Sequence, residues 1–182
     1  QSTHDDWTYT WRSTHFVANK FYEFFIRDVQ AHPAYSWLWK SKTTMKIKVF
    51  GWLLLSDRQN TRNMLKRRHF NIGNTFGCLL CPTCMDEMVE HLFFECPFRL
   101  NCWAKLGMQG STQGNRLDWV ESAKTAWNRP LFVEILLQSA WSIWKERNNK
   151  HFRGITPSTS SWLSRPKEDL SLLTYRVGDK NK

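Results

Sequence analysis

Cys78-Leu79-Leu80-Cys81-Pro82-Thr83-Cys84, followed by Glu90-His91-Leu92-Phe93-Phe94-Glu95-Cys96-Pro97-Phe98 and then Cys102-Trp103, is the stretch around which the chain is organised. Two cysteines separated by two residues can both turn thiolates toward one ion across a tight turn. A following histidine and cysteine complete a tetrahedron of soft and borderline ligands, which is the donor set of zinc. The alternative, a disulfide framework, suits secreted chains. Here no charged-then-apolar leader is present, and an odd cysteine count with a histidine set between the pairs fits metal better.

Two registers share His91 and Cys96. One starts from Cys78 and Cys81 with spacing C-x2-C-x9-H-x4-C; the other starts from Cys81 and Cys84 with spacing C-x2-C-x6-H-x4-C. Spacing alone does not choose between them. Either register supplies four protein ligands, which closes the site and makes it structural; a catalytic zinc keeps an open position.

The same residues resemble the zinc-binding domain found downstream of the reverse transcriptase in plant LINE-type (non-LTR) retrotransposons. That family begins its site with Cys-x-Leu-Cys, which falls on Cys78 and Cys81. The resemblance therefore implies Cys78, Cys81, His91 and Cys96 as zinc ligands, with Cys84 a bystander. The family usually carries a longer acidic stretch ending in Glu-Thr before the histidine. This chain has only Met85 to Glu90, which keeps the Cys84 register open.

Other segments carry the likeness outward. Phe16-Val17-Ala18-Asn19-Lys20-Phe21-Tyr22 is similar to the family's Phe-Ser-x-Lys-x-x-Tyr, with Val17 in place of serine. Lys46, Ile47, Phe50 and Trp52 match a Pro-Lys-Ile-x-x-Phe-x-Trp pattern in which Met45 stands for proline. Trp141 to Asn149 resembles the segment that follows the zinc domain in many of these elements, and Lys167 to Val177 looks like the C-terminal end of their polyproteins. The resemblance implies a non-catalytic zinc module that holds RNA or DNA near the upstream reverse transcriptase domain.

Composition is consistent with that partner. The 182 residues contain 26 Lys and Arg against 16 Asp and Glu, a net charge of +10, and a surplus of this kind suits a polyanion. Aromatic residues make up 15% of the chain, enough to build a core rich in tryptophan and phenylalanine. No apolar run reaches the roughly eighteen residues needed to span a bilayer. No clear targeting signal decides between nucleus and cytoplasm. The chain begins at Gln1, without a methionine, which fits a piece of a longer product.

Periodicity predicts a mainly α fold: a small zinc-stabilised helical domain with a Cys/His loop over 1–107, a Gly/Ser/Thr/Gln linker over 108–116, and a helical C-terminal tail over 117–182. Alternation from Asp5 to Trp11 suggests a short strand or an extended segment leading into helix. Apolar positions from Phe16 to Gln30 recur at three and four and predict one buried helical stripe. Val49, Phe50, Leu53 and Leu54 read as core, with Lys40, Lys42, Lys46 and Lys48 as a solvated rim. Thr61 is the expected N-cap of a helix reaching about Arg68. On that helix Arg62, Lys66, Arg67 and Arg68 form the densest basic face before the zinc loop and are the candidate phosphate contacts; His69 reads as a surface histidine.

Pro97 should open a helix that Gly107 stops, with Cys102 a buried thiol on it and Phe93-Phe94 packing the loop against the body. Helices are also expected over 117–127, from Pro130 to about Lys150, and from Pro166. No polymerase or nuclease signature is present. The only adjacent aspartates, Asp5 and Asp6, lack the hydrophobic hairpin of a two-metal site, and there is no phosphate loop or nucleophile elbow.

Overall fold

The structure, a computed structural model, describes residues 7–71, 73, 76–83, 85–111, 114–164 and 166. Asp5, Asp6 and Cys84 lie outside the described residues, as does nearly all of the helix expected from Pro166. The chain divides into two compact units, Gln1–His32 and Pro33–Lys182. The expectation of a mainly helical fold is met: among the described residues there is no strand, only an isolated antiparallel bridge between Gly77 and Asp86.

In the first unit, of the short strand or extended segment expected there, residues 7–9 form no strand and a turn follows them. The amide of Arg12 donates to the Tyr9 carbonyl at 2.8 Å, Arg12 takes a left-handed φ of 59°, and the Tyr9 and Trp11 rings stack 4.7 Å apart. Alternation was misleading because the two rings satisfy each other across the turn. Helix α1 (Ala18–Ile26) follows. None of its residues is buried: Tyr22 and Phe25 are more than 60% exposed, so the stripe expected to be core is not. Its rings pack along the helix instead, Phe21 against Phe25 at 4.7 Å and Phe16 against Phe21 at 5.6 Å.

The second unit is built from α2 (Pro33–Lys40), α3 (Met45–Leu55), α4 (Arg62–Arg67), a π-helical turn (His91–Glu95), α5 (Pro97–Leu106), α6 (Arg116–Ala126) and α7 (Phe132–Arg153). Local chemistry sets most boundaries. Proline opens α2 and α5, where a missing amide proton costs nothing. The Thr61 hydroxyl accepts from the Met64 amide at the start of α4. At α6 Asn115 and Asp118 form a capping box, each side chain accepting from the other's amide. Gly107 and Gly154 take left-handed φ angles of 70° and 67° and end α5 and α7. Helix α3 starts at Met45 without the family's proline, its first turn closed by Ile47 and Lys48 amides on the Thr44 carbonyl.

Helices from both sides of 108–116 share one core. Phe50 of α3 meets Phe93 at 6.0 Å and Trp141 of α7 at 5.0 Å, while Trp119 of α6 lies 5.1 Å from Phe94 and 5.6 Å from Trp103. Two fully buried indoles have their N–H groups satisfied, Trp103 donating to the Phe93 carbonyl and Trp162 to that of Ser139, whereas the buried Nε1 of Trp127 finds no partner. Gly51 marks a close approach between helices. A β-carbon there would stand 2.6 Å from Leu137 Cδ2 and 2.7 Å from Leu38 Cδ1, so any larger residue requires both leucine side chains to shift. Of the α3 positions read as core, Phe50 and Leu54 are buried, Leu53 is half-buried and Val49 is 44% exposed. Val49 faces away because α3 is apolar around most of its circumference and the core covers only one side.

Candidate zinc centre

A short loop and a wide turn deliver the four donors. Cys78 and Cys81 lie on the loop pinned at its base by the Cys78 amide on the Met85 carbonyl and the Glu87 amide on the Phe76 carbonyl. His91 opens the π-helical turn and Cys96 closes it, the Cys96 amide donating to the His91 carbonyl at 2.7 Å. The wider turn matters. In an α-helix, residues five apart point about 140° away from each other, whereas the wider i to i+5 turn roughly halves that angle. This is how a His-x4-Cys spacing can serve one ion while running straight into a helix.

The side-chain donor atoms of Cys78, Cys81, His91 and Cys96 lie within 4.8 Å of one another. Cys78 Sγ is 3.9 Å from Cys96 Sγ, and Cys81 Sγ is 3.3 Å from His91 Nε2. The edges of a tetrahedron around zinc are about 3.8 Å between sulfurs and about 3.5 Å between sulfur and nitrogen. Donor type, number and spacing therefore fit a zinc ion. Cys78, His91 and Cys96 are buried and Cys81 is half-buried. The Leu80 amide donates to Cys78 Sγ at 3.4 Å, and the Thr83 hydroxyl stands 3.0 Å from Cys81 Sγ.

Of the buried sulfur pair, Cys96 is the thiolate. The hydrogen bond from Cys78 pulls it down to about 5 against the opposing effect of burial, and the Arg99 and Phe98 amides at the start of α5 assist. Cys78, the donor of that bond, is pushed up by it and by burial. Arg99 adds a second sign of fit. It is 1% exposed, its Nε and Nη2 have no hydrogen-bond partner, and burial lowers its guanidinium to about 9. Three thiolates around a divalent ion carry a net negative charge, and a buried cation three residues beyond Cys96 is suitably placed to offset it. Cys102, on the same helix, is fully buried, and burial pushes its thiol up to about 12.

A buried ion pair, unforeseen in the sequence, ties the loop to α7. Glu87 Oε1 accepts from Arg147 Nη2 at 2.7 Å, from Arg147 Nε at 3.0 Å and from the Arg62 amide at 3.0 Å. The Arg147 guanidinium also lies 4.9 Å from the centre of the Trp144 ring. Next to His91, Glu90 accepts from Arg116 at 2.6 Å. The one available signal was an acid four residues before the histidine and an arginine in the polar part of an apolar helix; a separation of 60 residues hides their pairing.

The four basic residues of α4 do not form one free face. Arg62 is half-buried and donates to the Gly77 carbonyl at 3.1 Å, bracing the zinc loop. Lys66, Arg67 and Arg68 are exposed, but each has a neighbour: Lys66 sits 4.1 Å over the Phe76 ring, Arg67 pairs with Asp57 at 2.9 Å and Arg68 donates to Asn60 at 2.9 Å. His69 is exposed with a left-handed φ of 59°.

Comparison with known proteins places this geometry. Residues 16–103 match the model of a family described as zinc-binding in reverse transcriptase. A relative from Arabidopsis thaliana, named "Putative ribonuclease H protein", is 30% identical over 77 residues, which are 42% of this chain and 12% of that protein. The chain thus spans a small part of that relative's length. No solved structure matches it significantly. Residues 16–103, the segment that contains the four clustered donors, are thus similar to the zinc-binding domains of reverse transcriptases.

Proposed function

We propose that this chain is a zinc-stabilised, nucleic-acid-binding module of a plant LINE-type (non-LTR) retroelement, placed downstream of a reverse transcriptase domain and without catalytic activity of its own. The observation that carries the reading is the cluster of Cys78, Cys81, His91 and Cys96 with all donor atoms within 4.8 Å. With these four as ligands the ion has no open position, so it contributes folding energy and fixes the loop against the aromatic core. The ion would hold together two short segments, 78–81 and 91–96, that have little regular structure to hold them otherwise.

Nucleic acid binding rests on the net charge of +10 and on the exposed Lys66, Arg67 and Arg68 of α4, with Arg62 at its start. Their intramolecular partners lie at the surface, where ion pairs are worth little and exchange readily for phosphate. Those same partners favour a second reading, a scaffold that packs against the polymerase and binds no nucleic acid. Titrating a labelled RNA and a labelled DNA duplex at two salt concentrations separates the two. The nucleic-acid reading predicts a steep salt dependence that becomes shallower by about one to two ion equivalents in Arg67→Gln/Arg68→Gln. Weak, salt-insensitive binding of both probes would leave the scaffold.

A further inference from the structure

Helix α3 has two apolar faces, and only one is used. Ile47, Phe50, Gly51, Leu54 and Leu55 point into the core, while Met45, Val49 and Trp52, at i, i+4 and i+7, are 65%, 44% and 42% exposed on the opposite side. A surface helix ordinarily turns polar residues outward, so an exposed apolar stripe of this length calls for a partner. Trp39, at the end of α2, is 45% exposed and belongs to the same surface: Lys48 Nζ reaches from α3 to the Trp39 carbonyl at 2.7 Å and fixes the two helices together there. Two indoles are thus presented to solvent from a rigid base.

The exposed charge around them is basic; a carboxylate that reaches the segment, Glu134 of α7, is buried and accepts from the Lys42 amide at 2.7 Å. From 33 to 56 the sequence holds Lys40, Lys42, Lys46 and Lys48 and no aspartate or glutamate. Lys46 and Lys145 approach the Trp141 ring at 5.1 and 5.9 Å and extend the basic edge onto α7. Protein interfaces are depleted of lysine, whereas an unpaired nucleic acid strand needs what is present here: flat rings on which bases stack and cations spaced along a backbone. We propose that the outer face of α2 and α3 is a platform for single-stranded nucleic acid, with bases stacking on Trp39 and Trp52 and phosphates held by Lys40, Lys42 and Lys46. This rests on the nucleic-acid reading above but assigns it to a different surface from α4 and to a single strand over a duplex.

The test is a titration of the zinc-loaded full chain with a fluorescein-labelled uridine 20-mer, a duplex of equal length serving as control. Trp39→Ala/Trp52→Ala should weaken single-strand binding by about tenfold or more, in proportion to the stacking lost. Trp39→Phe/Trp52→Phe should restore most of it, and neither pair should change the far-ultraviolet circular dichroism, since both side chains are exposed. Lys40→Gln/Lys46→Gln should lower the salt slope by about 1.4. Unchanged binding by the Trp39→Ala/Trp52→Ala chain, with loss in Arg67→Gln/Arg68→Gln, would overturn the platform and leave the nucleic-acid reading standing. Equal loss on the duplex would overturn the single-strand assignment. No binding by the wild-type chain would remove the nucleic-acid reading itself. If Trp39→Ala/Trp52→Ala bound the 20-mer normally but lost a polymerase fragment of the parent protein, the face would be a protein interface and the platform would be refuted.

Discussion

Glu87 is the side chain on which the zinc loop and α7 meet. It is fully buried, and Arg147, 4% exposed, gives it two hydrogen bonds on one oxygen. Removing one partner strands a charge in the core, so Arg147→Met should cost about 3–5 kcal/mol. Glu87→Leu/Arg147→Met should recover much of that loss, because a well-packed apolar pair carries no desolvation penalty; urea unfolding of the two variants measures both. The ligand set makes a second residue-level prediction: Cys78→Ser should release zinc and loosen the fold, while Cys84→Ser should retain one zinc. The reverse result would move the site to the shorter register. The remaining thiols differ in kind. Cys96 sits at about 5 and Cys102 at about 12. In the metal-free chain the stability that the Cys96 thiolate contributes is complete above the ordinary thiol value of 9.0 and is lost as pH falls through 5. The neutral Cys102 thiol contributes from below 9.0 and fades only as pH rises through 12. Folded chain at pH 8 should therefore resist alkylation at Cys102, as peptide mass mapping would show, and labelling there under native conditions would contradict its burial.

At the scale of elements, caps were legible and pairings were not. Thr61, Pro97 and Gly107 act locally, through their own hydroxyl, ring and φ angle, and each stands where its chemistry predicts. The helices expected over 117–127 and from Pro130 appear as Arg116–Ala126 and Phe132–Arg153 for the same reason. What depends on a distant partner was hidden. The apolar stripe of α1 and the outer face of α3 have the periodicity of core helices, yet periodicity cannot say whether a partner is present. The π-helical turn that brings His91 and Cys96 together is likewise invisible in sequence. Gly51 offers a direct test of how closely α3 is packed. Gly51→Val forces a side chain against Leu137 and Leu38, and overpacking of this sort should destabilise by about 1–3 kcal/mol despite better helix propensity. A thermal melt unchanged from wild type would mean that the neighbouring leucines yield freely.

For the whole molecule, the loop 76–90 and the π-helical turn contribute Val89, Leu92 and Phe93 to the interior with no exposed surface, alongside Phe50, Leu137 and Ile143. The four clustered donors are therefore part of the core's wall, and loss of a bound ion should be felt well beyond the loop. Candidate ligands were readable from the sequence because four donor types at fixed spacing suit few other purposes. Their fastening by Glu87, Arg147 and Arg116 was not, since each contact joins residues far apart in the chain. The most direct test of the central claim is the metal content of the reduced, purified chain, followed by circular dichroism during titration with a strong chelator. One zinc per chain, with helical signal and the near-ultraviolet tryptophan bands collapsing together as the ion is withdrawn, is the expected result. A reduced chain that is fully folded with no metal bound, or that keeps its tryptophan bands after the zinc is gone, would contradict it.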